Sequence, residues 1–119
     1  NTRFQILNCR LQVKTKGILG RFRKKTHHLS LINLSTTGIQ AISSEPLHNK
    51  KEYEIALRAS AYPKPIIAKG RVIWQLPYKT SNQKQCYRIG LEFTYFKQHT
   101  INRIVYLERN PHLRGIKTN

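Results

Sequence analysis

Apolar and polar residues alternate with a period of two through most of this chain. Leu7, Cys9, Leu11 and Val13 fall on one side of an extended segment, with Asn8, Arg10 and Gln12 on the other. That is the pattern of a strand with one face against a core. Gly17 and Gly20 then allow a turn. A second strand is expected over 25–34 with Leu29 and Leu31 inward, and a short third over 38–42. Tyr53, Ile55 and Leu57 make a fourth. Pro63 and Pro65 are expected to break the chain, because proline lacks an amide hydrogen and restrains its predecessor. A long strand follows over 66–76, with Val72 and Trp74 on one face and a bend at Gly70. Residues 77–84 read as a hairpin loop, and Ile89, Leu91 and Phe93 define a last strand over 86–93.

Only the end is helical in pattern. Ile101, Ile104, Val105 and Glu108 recur at i, i+3, i+4 and i+7, with Thr100 as the expected N-cap and Pro111 as the stop. Six strands and one C-terminal α-helix predict an all-β fold, a six-stranded antiparallel β-barrel with the helix over an opening or a sheet face. The barrel and helix are expected to occupy residues 1–110, and residues 111–119 to form a basic flexible tail.

Charge adds a partner class to this outline. The 119 residues hold 22 Lys and Arg against five acidic residues, a formal net charge of +17. Such a field draws in phosphates and raises the on-rate of anions. The acids are Glu45, Glu52, Glu54, Glu92 and Glu108, with no aspartate, and none pairs convincingly with a histidine for acid–base work. An enzyme is therefore not expected. Cys9 and Cys86 are far apart, and of five histidines only His27 and His28 adjoin, so four metal ligands do not assemble. Both thiols sit in apolar alternations and are expected as reduced core residues of a cytoplasmic protein. No apolar run is long enough to cross a bilayer, and no signal-peptide pattern opens the chain. Methionine is absent, which leads us to expect a piece of a longer protein or a chain without its first residues.

Asn33-Leu34-Ser35-Thr36-Thr37-Gly38 fits a [D/N]-x-S-x-x-G pattern at a strand end. Alone it is ordinary turn chemistry. Three other segments accompany it in order: Arg3-Phe4-Gln5-Ile6-Leu7-Asn8, then Gly70-Arg71-Val72-Ile73-Trp74, then Tyr87-Arg88-Ile89-Gly90-Leu91-Glu92-Phe93. Together they resemble the PilZ domain family from about Arg3 to Arg109. The resemblance implies a PilZ-like barrel that receives cyclic di-GMP in bacterial second-messenger signalling. In that family an R-x-x-x-R segment before the first strand holds phosphates and guanine edges, and the D/N-x-S-x-x-G turn bonds a guanine.

Carried over residue by residue, the turn supplies Asn33, Ser35 and Gly38, and Arg3 takes the place of the second arginine. The first arginine would precede Asn1. Arg10 is the alternative second arginine, but that register puts Ile6 in the first position, and a solvated charge is the competing reading. The cluster Arg21-Phe22-Arg23-Lys24-Lys25 is assigned to the first hairpin. The chemistry suits the residue types. Arg offers a planar fork of donors to phosphate or to O6 and N7 of guanine, and glycine allows an approach that a Cβ would block. The partners so implied are cyclic di-GMP, and a protein of motility or exopolysaccharide machinery or fused domains of a parent chain. Two other readings stay open: a degenerate PilZ module that only binds protein, and a single-stranded nucleic-acid binder of the OB type.

Overall fold

The computed structural model describes residues 2–15, 25–49 and 51–116. Six strands, β1 (Cys9–Thr15), β2 (Thr26–Leu34), β3 (Gly38–Ser43), β4 (Glu52–Ala59), β5 (Tyr62–Lys79) and β6 (Gln85–Phe96), precede helix α1 (Gln98–Arg109). All pairings are antiparallel, and the strands close in the order β1-β2-β3-β6-β5-β4. Closure removes the free sheet edges on which an open antiparallel sheet would aggregate. The predicted six-stranded barrel with one C-terminal helix is thus the observed fold.

Alternation builds the interior. Leu11 and Val13 of β1, Ile55 and Leu57 of β4, and Ile89 and Leu91 of β6 are almost wholly buried. Each such side chain is worth about 1.5–3 kcal/mol of burial. From outside the barrel wall, Ile104 and Leu107 of α1 join the same core. Two polar groups serve this interior. Tyr53 is fully buried, and its hydroxyl accepts a hydrogen bond from the His48 amide at 2.9 Å. Gln75 brackets the backbone of Leu47, accepting from its N–H at 2.8 Å and donating to its carbonyl at 3.0 Å.

Bulges decide which way several key side chains face. The β2–β3 register shifts between Leu31 and Asn33, so Leu34 points inward and Asn33 outward. On β5 the register against β6 shifts between Val72 and Trp74. Gln75 therefore pairs opposite the buried Ile89, and Trp74 opposite Gly90. A Cβ on Gly90 would lie 2.3 Å from the Trp74 indole. The ring consequently covers Gly90 on the outer wall, half-buried, instead of sharing the inward face of Val72 as alternation alone predicts.

Other departures have equally local causes. Asn8 has φ of +54°, so the inward phase starts at Cys9 and Leu7 is left exposed. Pro63 and Pro65 do not end the chain's extended course; they lie within β5. That stretch precedes Ala68, where pairing with β6 begins, so the missing amide hydrogens interrupt no ladder on that side. Thr100 lies inside α1, not at its cap, and its hydroxyl donates to the Ile67 carbonyl at 2.9 Å. Residues 111–116 are docked instead of loose. Pro111–Arg114 forms a 3-10 turn, and Arg114 is buried. Residues 117–119, the expected glycine turn near 17–20 and the basic cluster at 21–24 lie outside the described residues.

Candidate functional site

The segment before β1 is stitched to the end of β2. The Phe4 amide donates to the Leu34 carbonyl at 2.9 Å, and the Leu34 amide donates back at 2.8 Å. Phe4 is buried by this pairing, which sets its neighbour Arg3 beside Asn33. There Arg3 Nη1 donates to Asn33 Oδ1 at 3.0 Å. Both side chains reach the outer surface, where a guanidinium keeps donors free for a second acceptor.

Behind them the turn from β2 to β3 holds its own shape. Ser35 is fully buried. Its Oγ accepts from the Thr37 amide at 3.2 Å and shares a hydrogen bond with the Thr37 hydroxyl at 2.9 Å, while its amide donates to the Gly38 carbonyl at 3.0 Å. Ser35 therefore builds the corner from within. Gly38 answers to sterics: a Cβ there would stand 2.1 Å from the Leu91 carbonyl oxygen, so only glycine lets β3 and β6 meet.

The polar line continues across the outer wall. Asn33 Nδ2 donates to Gln40 Oε1 at 3.4 Å, and Arg88 Nη2 donates to the same oxygen at 3.2 Å. Gln40 pairs with Gly90, the residue that Trp74 covers. Arg3, Asn33, Gln40, Arg88 and the Trp74 ring thus form one surface that spans β2, β3, β6 and β5.

On the other side of Arg3 is an open cleft of about 640 Å³, lined by Arg3, Gln5, Asn33, Glu108, Arg114 and Ile116 among others. Arg114 is its clamp. Nε donates to the Leu107 carbonyl at 2.8 Å, Nη1 to the Gln5 carbonyl at 3.1 Å and Nη2 to the Glu108 carbonyl at 3.2 Å. Its guanidinium lies 4.8 Å from the Phe4 ring centroid, a cation–π contact. The last carbonyls of α1 form the negative end of the helix dipole and suit this cation. One side chain thereby ties the Arg3 arm to the helix end.

The structure brings Arg3 and Asn33 into contact, while Ser35 and Gly38 hold the turn that follows Asn33. Arg10 does not join them; it lies exposed on the barrel wall, paired in register with Arg58 across β1 and β4. Gln40, Arg88, Trp74 and Arg114 are not among the site residues expected from the sequence, whose alternation sets Trp74 on the inward face with Val72. The first three depend on strand register and a bulge, and Arg114 falls in the segment read as a tail. Alternation across Gly70-Arg71-Val72-Ile73-Trp74 sets Trp74 inward, and only the bulge after Val72 turns it to the outer wall.

The titratable groups with perturbed character lie elsewhere. Burial pushes the Cys9 thiol up, out of the reactive range. Burial also lowers His27, aided by the nearby Lys25 charge. Glu45 is lowered by the Lys25 ammonium, which sits 2.8 Å from its carboxylate. Among the described residues no three His, Cys, Asp or Glu side chains gather as a metal site would require, and no helix is long and apolar enough to cross a membrane.

Comparison with known proteins follows the same lines. The model of the PilZ domain matches residues 3–107. MrkH of K. pneumoniae in its apo state superposes with a TM-score of 0.70 at 13% identity, over 96% of this chain and 51% of that one. The PilZ domain of YcgR from Escherichia coli, solved with c-di-GMP, gives 0.64 at 16% identity, over 99% and 98%. The Borreliella burgdorferi PlzA protein in complex with c-di-GMP gives 0.57 at 14% identity, over 92% and 47%. At such identities the likeness is one of fold. The chain spans about half the length of MrkH and PlzA. No curated protein sequence matches it.

Proposed function

The chain belongs to the PilZ domain family, and from that premise we propose that it is a receptor module for cyclic di-GMP. The observation that carries this reading is the hydrogen bond from Arg3 to Asn33 at the outer end of β2, beside an open cleft. A guanidinium there takes a phosphate oxygen or the O6 and N7 edge of a guanine. The Asn33 amide offers both a donor and an acceptor to the base. Ser35 and Gly38 act as positioning residues, one holding the turn and the other letting the strands close. Arg88 and the Trp74 face extend the surface for a second base or phosphate, since aromatic rings and guanidinium planes both stack on purines.

No covalent chemistry is assigned to this site. The ligand signals by being bound, and Arg114 transmits that state, because it ties the Arg3 arm to the end of α1. We place the protein in the cytoplasm, where the second messenger is made. Its output is a contact with a protein of motility or exopolysaccharide machinery, or with further domains of a longer chain. The structurally similar MrkH is described as a c-di-GMP-dependent transcription regulatory factor.

Displacement of labelled cyclic di-GMP from the complete protein tests the proposal. Unlabelled cyclic di-GMP should compete and cyclic di-AMP should not, because adenine lacks the O6 acceptor for Arg3. Equal competition by the two would refute guanine recognition at this corner.

A further inference from the structure

Around the first half of β5 and the start of α1 the barrel carries a second surface that the proposed receptor site does not use. Two clefts lie along helix α1. One, of about 460 Å³, is walled by Ile67, Lys69, Tyr95, Phe96, Lys97 and His99, with Glu54 at its side. The other, of about 440 Å³, is walled by Tyr62, Lys64, His99, Asn102, Arg103 and Tyr106. His99 belongs to both, so they form one continuous track around the start of the helix.

Aromatic rings and cations alternate along that track. Tyr95 is 55% exposed and Tyr106 51% exposed, so both rings are open to solvent. Lys69 Nζ stands 5.6 Å from the Tyr95 ring centroid, and the Tyr62 and Tyr106 rings lie 5.7 Å apart at a 33° tilt. Arg103 is pinned to the Pro65 carbonyl, which fixes its charge over the second cleft. Among the described residues the only carboxylate in either wall, Glu54, pairs in register with Lys14 on one side and Lys69 on the other. The track is therefore net positive as well as aromatic.

We propose that this track binds single-stranded nucleic acid. The phosphates would follow the lysines and Arg103, and bases would stack on Tyr95 and Tyr106. Each cleft has room for a base, and ring faces accept any base, which makes the binding sequence-tolerant. An acidic protein segment would satisfy the cations, but it has less use for a row of exposed rings set between them. The inference does not depend on the cyclic dinucleotide reading, because the two surfaces share no residue.

The test is fluorescence anisotropy of a labelled oligo-dT of about 12 nucleotides at about 100 mM salt, with the complete protein. The single variants Tyr95→Ala and Tyr106→Ala are measured beside the wild type. Both rings are exposed, so folding should persist, and circular dichroism checks this. Binding should weaken about tenfold for each ring removed. Inorganic polyphosphate, which has no bases, should bind wild type and variants alike. Cyclic di-GMP at saturation should leave the oligonucleotide bound. Unchanged oligo-dT affinity in both folded variants would overturn the proposal, reducing the interaction to bulk charge. So would a duplex of equal length binding as tightly, or displacement by cyclic di-GMP. Failure of oligo-dT to bind while a Glu–Phe repeat peptide does would assign the track to an acidic protein instead.

Discussion

Arg114 shows how much one side chain can organise. It spends its donors on three backbone carbonyls from two distant segments, and its flat face on Phe4. Arg114→Gln removes a buried guanidinium and leaves those carbonyls short of donors, which should cost about 2–4 kcal/mol of stability. Because the clamp holds the arm that carries Arg3, the same variant should also weaken cyclic di-GMP. A thermal melt and a titration on one sample check both, and a variant that melts early but binds normally would separate the clamp from the site. Gly38→Ala drives a methyl toward the Leu91 carbonyl. It should lower stability by about 1–3 kcal/mol, read as a lower denaturation midpoint. The local half of this site was legible in the sequence: Asn33, Ser35, Gly38 and Arg3 sit in short motifs whose spacing survives without a fold. Gln40 and Arg88 were not, since they meet Asn33 only through strand register. Arg114 was hidden because a basic residue past a helix-ending proline looks like solvent-facing tail.

At the level of elements, alternation located all six strands and failed where the backbone changes phase. The bulges at Leu31/Asn33 and Val72/Trp74 each insert a residue, and nothing in a period-two count marks them. The first puts Asn33 on the proposed ligand surface; the second brings Trp74 to it. Prolines 63 and 65 read as a break because a central strand could not hold them, and they are tolerated where β5 has not yet met β6. The β2 strand also carries a pH response. His27 lies edge-on to Tyr53, with ring centroids 6.3 Å apart, and its pKa is lowered chiefly by burial. The unfolded chain therefore takes up the proton first, so stability should be level above about pH 6.5 and fall as pH drops below it. Glu45, held low by Lys25, contributes stability above its ordinary range near 4.5 that is lost on further acidification. Melting temperatures between pH 7.5 and 5.5 should decline for the wild type and flatten for His27→Gln. Parallel curves would remove His27 from the explanation.

For the whole molecule, fold was the most legible feature, because six alternating segments with one helix leave few ways to bury their apolar faces other than a closed barrel. The excess of cations, +17 over 119 residues, acts at longer range than any one contact. It should speed the arrival of an anionic ligand and leave its departure to the local hydrogen bonds. Stopped-flow measurements across about 50–300 mM salt should then show the association rate falling steeply with a nearly constant dissociation rate. A salt effect confined to dissociation would mean that the general field plays no part. The most direct test is calorimetric titration of cyclic di-GMP into the complete protein, wild type against Arg3→Gln. Arg3 is exposed and its loss should not unfold the barrel. The expected result is saturable binding that weakens about ten- to a hundredfold in the variant, the value of one charge-assisted hydrogen-bond pair. Equal affinity in the two proteins, or no binding by the wild type, would contradict a receptor site built on Arg3 and Asn33.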